Sequence, residues 1–280
     1  MNLFYLPLPR LSVDIDLNYI GHLDKEAMEQ ERPQVEVALE QLFRSMNLQI
    51  QRGRPEHAAT TYTLRFPSVL GGVGQIQVEV NWLMRVCLLP PMQRTSKLLS
   101  FEPTVTVLAP EELMGGKMKA FLERGAGRDL FDLFQMTQGN ITVDRTLWRK
   151  VTIAFFSTVN EQDLARQRGI RRRDLRALTV DDVLVLDEQR VRTSLEPVLP
   201  ADSMPPVTDM VQAVAPLVSE VLSWDERERS YMDALLDEGE VHGNLLFPDY
   251  PDLAERWQRH PAIQWKAQNV RKVRRRHEPK

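Results

Sequence analysis

The stretch that most constrains this chain is LSVDIDLNYI at residues 11–20. Side chains alternate across a β-strand, so Val13, Ile15 and Leu17 face one way while Ser12, Asp14, Asp16 and Asn18 face the other. Two carboxylates then project from one side about 7 Å apart, the length of two residues of strand. Bare carboxylates so placed repel, and a hard divalent cation with oxygen ligands removes the repulsion. Magnesium takes few protein carboxylates when substrate phosphates supply its other oxygens. The strand therefore reads as a metal site for phosphate chemistry whose apolar back packs into a core. An edge strand with a solvated acidic face has the same pattern.

The grammar recurs in GQIQVEVNWLM at residues 74–84, where Ile76, Val78, Val80 and Trp82 alternate with Gln77, Glu79 and Asn81. Glu79 is a third carboxylate opposite an apolar face, and if the two strands lie side by side the acids converge. A half-buried antiparallel strand with Glu79 in water is the alternative. The third element is PEELMGGKMKAFLERGAGRDLFDLF at 110–134. Glu111 and Glu112 after Pro110 suit a helical first turn, and Met114, Met118, Phe121 and Leu122 form an apolar stripe. Lys117, Arg124 and Arg128 follow at spacings of seven and four, within one narrow sector of a helix. Asp132, four residues beyond Arg128, is placed to hold that guanidinium, while Gly125-Ala126-Gly127 is a candidate helix break. A basic row facing an acidic metal site suits a nucleoside triphosphate, with magnesium on bridging oxygens and cations on the rest. A solvated helix face with one salt bridge has the same spacing.

Together these segments resemble the AbiEii/AbiGii nucleotidyltransferase toxin family, within the DNA polymerase β-type nucleotidyltransferase superfamily. The carrying residues are Arg10, Ser12, Asp14, Ile15 and Asp16 as R-x-S-x-D-I-D, and the strand containing Glu79. Lys117, Ala120, Arg124, Arg128, Asp129 and Asp132 add K-x-x-A-x-x-x-R-x-x-x-R-D-x-x-D. The likeness is specific over the first half of the chain and one of texture in the helical second half.

The resemblance implies an α+β fold: a nucleotidyltransferase-type mixed sheet flanked by helices, then a mostly helical C-terminal domain. The core would span 1–110, and a helical domain carrying the Lys/Arg row and basic tail 111–280. It implies Asp14, Asp16 and Glu79 as metal ligands and, with Lys117, as catalytic residues. Ser12, Lys117, Arg124, Arg128, Asp129 and Asp132 would bind nucleotide. Further implications are Mg2+, an NTP substrate, and tRNA or other RNA as acceptor. The chain would act as toxin of a bacterial type IV toxin-antitoxin or phage-abortive-infection system whose cognate antitoxin is a DNA-binding repressor. A small-molecule, antibiotic-type nucleotidyltransferase shares the acidic strand, and a non-catalytic degenerate copy that binds a partner or RNA is the other alternative. One feature departs from the family pattern: a Gly-Gly-Ser or Gly-Gly-Thr turn that grips phosphates through backbone N–H groups shortly before the acidic strand. Here the sequence opens at Met1, and Asn2 to Tyr5 reads like the end of the helix that follows such a turn. With the acids and basic row intact, a natural start upstream of Met1 is the expectation; reduced or lost activity is the alternative if Met1 is the true start.

A chain of 280 residues buries a sizeable core and suits two domains. The net charge of -3 is nearly balanced, no apolar run is long enough to span a bilayer, and no signal stretch opens the sequence. Cys87, the single cysteine, has no disulfide partner and no zinc spacing, so core packing in a reducing cytoplasm is the expectation. Periodicity predicts a helix over 33–46 with Pro33 in its first turn, a strand over 59–66, and a hairpin turn at Gly71-Gly72. A loop over 90–97 and a short strand over 104–108 follow. Helices are expected over 142–156, 207–224, 225–236 and 261–276, with a linker at 200–206. Two basic runs, Arg171 to Arg173 with Arg176 and the tail from Lys266, suit approach to an RNA backbone. The five histidines have no ligand spacing, and the five tryptophans are expected to anchor the cores.

Overall fold

Apolar and polar residues alternating with period two build a four-stranded sheet, seen in a computed structural model of the chain. The structure describes residues 3–5, 9–10, 14–54, 56–69, 71–96, 98, 101–139, 141–171 and 174–277, with side chains through 275. Ser12, expected to bind nucleotide, lies outside the described residues, as do Val13, Arg172 and Arg173. The strands are β1 (Asp14–Asn18), β2 (Gln49–Arg52), β3 (Ala59–Pro67) and β4 (Val73–Asn81), in the order β1-β4-β3-β2. β1 runs parallel to β4 and the other pairs are antiparallel, so the sheet is mixed. Helix α1 (Lys25–Ser45) joins β1 to β2. The chain forms two compact units, residues 12–87 with 260–262, and residues 1–11, 88–259 and 263–280.

In the smaller unit, Tyr62, Leu64, Val78, Val80 and Trp82 pack with Met28 and Phe43 of α1. Val78 and Val80 thus face the core and Glu79 faces away from it, as the alternation requires. Ile15 and Leu17, expected to pack behind the acids, are 48% and 39% exposed. The reason is position: β1 is the last strand of the sheet, and the core is assembled from β3, β4 and α1. α1 begins eight residues before Pro33, because Asp24 caps it by accepting from the Ala27 N–H at 2.9 Å. Pro33 therefore sits in the helix interior, where it removes one backbone hydrogen bond.

A buried carboxylate ties α1 to the sheet. Glu36 accepts from Arg32 Nε at 2.8 Å, from Thr60 Oγ1 at 2.7 Å and from Arg52, while Thr60 Oγ1 accepts from Trp82 Nε1 at 2.8 Å. Burial opposes its charge, but the hydrogen bonds from Arg32, Thr60 and Arg52 outweigh burial and hold the carboxyl below its ordinary range. His260, buried, donates from Nε2 to the Val86 carbonyl at 3.0 Å and accepts at Nδ1 from the Ala262 N–H at 3.1 Å. Burial pushes it down to about 4, so it packs as a neutral ring.

The larger unit holds a two-stranded antiparallel sheet, β5 (Met92–Thr95) and β6 (Thr104–Val107), and the helices. β5 lies where a loop was expected after Pro90-Pro91. Its pairing comes from across the sequence, with Gln93 Nε2 donating to Thr106 Oγ1 at 2.7 Å. The helices are α2 (Pro110–Arg124), α3 (Gly127–Thr137), α4 (Arg145–Ser157) and α5 (Glu161–Arg168), then principally Glu188–Leu195, Val207–Leu222, Glu226–Asp233, Pro251–Gln258 and Pro261–His277. Trp148, Trp257, Tyr231, Phe121 and Phe156 fill the core, and Tyr231 bridges Trp257 Nε1 and Ser157 Oγ, both at 2.9 Å.

Trp265, expected as an anchor, is 49% exposed. It lies off the stripe of Ala262, Ile263, Lys266 and Ala267 by which its helix packs. That stripe turns Lys266 inward, where Nζ donates at 2.8 Å to both the Val159 carbonyl and Glu161; Lys266 is a structural ion pair rather than part of a solvated tail. Arg176 of the other basic run is bound by Asp174, Asp233 and Asp237.

α2 also anchors the start of the unit. Glu112, 2% exposed, accepts from the Leu88 and Leu89 N–H groups at 3.1 Å each, and Arg256 donates to the Leu88 carbonyl at 2.5 Å. Burial pushes its carboxyl up to about 7 despite those bonds and Arg256. An acid whose pKa rises from 4.5 to about 7 on folding stabilises most below the lower value and loses that contribution as pH rises through the upper one. Unfolding free energy should therefore fall by up to about 3 kcal/mol between pH 5 and 8 on account of this group. Glu112→Gln, followed by denaturant unfolding across that range, should flatten the slope; an unchanged slope would contradict the assignment. Glu36→Ala removes the acceptor shared by Arg32, Arg52 and Thr60 and should cost about 1–3 kcal/mol in the same measurement, an unchanged stability being inconsistent with the network.

Candidate active site

Parallel pairing of β1 with β4 sets Asp14 beside Gln77, Asp16 beside Glu79 and Asn18 beside Asn81. Residues paired across neighbouring parallel strands point to the same face, and the strands lie about 4.8 Å apart. Asp16 and Glu79 are thus lateral neighbours, with Asp14 two residues along, on the face opposite Val78 and Val80. The side-by-side placement expected from the two sequence patterns is present. Thr61 of β3 flanks Glu79 on its other side. Asp14 and Asp16 are exposed and Glu79 is half-buried. Among the described residues, no three His, Cys, Asp or Glu side chains close around one point to hold a metal. The acids form a row rather than a cage, which is the donor set a hard cation takes when a substrate's phosphates supply the remaining oxygens.

In the larger unit, Gly125 adopts a left-handed conformation, φ 61°, and separates α2 from α3 as its sequence suggested. Lys117 and Arg124 lie on α2, and Arg128, Asp129 and Asp132 on α3. Arg124 forks onto Asp129, Nε to Oδ2 at 2.6 Å and Nη2 to Oδ1 at 2.9 Å. Arg10 forks onto Asp132 through Nε and Nη2, each at 2.7 Å, and Lys117 Nζ reaches Asp132 Oδ2 at 3.1 Å. Asp132 thus carries ion pairs with Arg10 and Lys117. No helical spacing announces the Arg10 pair, and the one signal for it is Arg10's place in the R-x-S-x-D-I-D pattern.

The frame under these pairs is specific. Gly127 lies so close to Glu188–Leu195 that a Cβ would come within 2.6 Å of the Val191 carbonyl oxygen. Arg168 donates to the Leu122 carbonyl at 2.9 Å, to Phe121 O at the end of α2 and to Val183 O at 2.9 Å, with its guanidinium over the Phe121 ring. Burial lowers it to about 10, which leaves it charged at neutral pH and suited to the negative end of the helix. The acids thus belong to the smaller unit and the cations to the larger.

Comparison with known proteins bears on this arrangement. A family model described as nucleotidyl transferase AbiEii toxin, type IV TA system, matches residues 1–213. Among solved structures, MenT4, a nucleotidyltransferase toxin from Mycobacterium tuberculosis H37Rv, is similar in fold at 20% identity and a TM-score of 0.52, covering 94% of this chain and 78% of that one. JHP933 from Helicobacter pylori matches at 13% identity and a TM-score of 0.39, covering 81% and 82%. No curated protein sequence matches. Because the family model spans more than half of the 280 residues, the chain belongs to the AbiEii nucleotidyl transferase toxins of type IV toxin-antitoxin systems.

Proposed function

We propose that this nucleotidyltransferase moves a nucleoside monophosphate from an NTP to a hydroxyl of tRNA or another RNA, in the cytoplasm of a bacterium. Its cognate antitoxin is a DNA-binding repressor. The observation that carries the reading is the register that seats Asp16 beside Glu79 with Asp14 two residues away. Asp14, Asp16 and Glu79 would hold Mg2+. When bound, the ion neutralises triphosphate oxygens and lowers the pKa of an acceptor hydroxyl. Glu79 would also accept that hydroxyl's proton. The acceptor oxygen bonds to the α-phosphorus as the bond to the bridging oxygen breaks, and pyrophosphate leaves. Lys117 and Arg128 would stabilise the charge on pyrophosphate, Ser12, Arg124 and Asp129 would bind the nucleotide, and Asp132 would orient Lys117, 3.1 Å away. Among the described residues no helix is long and apolar enough to cross a membrane.

The test is incubation of the full chain with Mg2+, labelled NTPs and total RNA. Label should enter RNA, and Asp16→Asn should reduce the rate by at least about a hundredfold. The same variant should unfold at an unchanged or slightly higher temperature, since it removes one charge from a row of like charges. Equal activity in Asp16→Asn, or label entering aminoglycosides but not RNA, would overturn the reading.

A further inference from the structure

A carboxylate with no exposed surface must be neutralised, and Asp132 is met by two cations, Arg10 and Lys117. Arg10 satisfies both carboxylate oxygens with its fork at 2.7 Å, while Lys117 approaches one of them at the longer 3.1 Å. The side-chain exposures are 7% for Arg10, 0% for Asp132 and 26% for Lys117, so Lys117 is the most exposed of the three. Arg10 is not an accidental neighbour. Earlier in the chain, the Tyr5 hydroxyl donates to the Leu108 carbonyl and the Arg94 guanidinium lies 5.0 Å from the centre of the Tyr5 ring.

We infer that Arg10 is a positioning residue: by taking over the neutralisation of Asp132, it releases the Lys117 ammonium to act on a substrate's phosphates. Without the fork, the buried carboxylate would claim Lys117 as counter-ion, and the pair would carry no net charge. Arg10 acts through Asp132 and touches no phosphate itself. The inference rests on the reading of Lys117 as a phosphate-binding group, and the experiment separates the two.

Arg10→Gln, Lys117→Met and the double variant of the full chain are titrated with inorganic tripolyphosphate and Mg2+. Separately, acylation of the Lys117 amine is timed by mass spectrometry without any phosphate. Each single substitution should weaken tripolyphosphate binding about tenfold or more, the scale of a charge-assisted hydrogen bond. In the Arg10→Gln background, Lys117→Met should cost less than about twofold, the non-additivity expected of coupled groups. Acylation of Lys117 should slow several-fold in Arg10→Gln, because the amine is held on Asp132. Arg10→Lys, with one ammonium in place of the fork, should recover part of both signals, and it decides the matter if Arg10→Gln does not fold. Multiplicative losses in the double variant, or acylation unchanged or faster as a loosened structure would give, would overturn the inference. Absence of tripolyphosphate binding in the parent would instead count against the proposed function, and the acylation rates would still decide the role of Arg10.

Discussion

Charge inside a protein has to be met by opposite charge or by hydrogen bonds, and the buried Glu36, Glu228, Asp129 and Asp132 organise this chain on that principle. Glu36 joins α1 to β2 and β3 through Arg32, Arg52 and Thr60. Glu228 is clasped by Arg149 and by Lys150 at 2.7 Å, which pins α4 to the helix Glu226–Asp233. Asp129 and Asp132 lie on one side of α3 and draw in Arg124, Arg10 and Lys117. Each acid is worth little as a pair compared with apolar packing of the same volume, but each is costly to leave unmet. Their partners therefore fix which side chains face which, more than they add to stability.

The same economy separates the acids of β1 and β4 from the rest. Asp14 and Asp16 are exposed, unlike the buried Glu36 and Asp132. A row of carboxylates kept near water costs little to maintain and is ready to take a cation. Glu36 and Glu228 are buried and met by the protein's own arginines and lysines, whereas Asp14 and Asp16 lie exposed on the end strand of the sheet. That contrast is a physical distinction between the two sets, drawn from burial rather than from residue type.

Much of this was legible in the sequence wherever the information is local. Alternation in 11–20 and 74–84 identified which face each acid takes, and helical spacing found α2, its glycine break and the stripe of Met114, Met118 and Phe121. What stayed hidden depends on distant partners. β5 needs β6 for its pairing, and Lys266 reads as part of a basic tail until Glu161 is seen beside it. Pro33 looked like a helix start because nothing in its own neighbourhood shows that Asp24 has already capped the helix. Ile15 and Leu17 looked like core because a strand's pattern does not say whether the strand ends a sheet. At the candidate site, Arg124 and Asp129 are five residues apart and could be anticipated as neighbours, but Arg10 and Asp132 are separated by 122 residues and could not.

The contact at Gly127 bears on motion. With Gly127 so near the Val191 carbonyl that a side chain there would collide with it, the first turn of α3 packs closely on the helix Glu188–Leu195, and close-packed surfaces of this kind do not deform gradually. Asp129 and Asp132 are thereby carried on a stiff rod. Any adjustment to an arriving molecule falls to the long, many-jointed stems of the lysine and arginine side chains, which reorient in nanoseconds without disturbing the scaffold behind them.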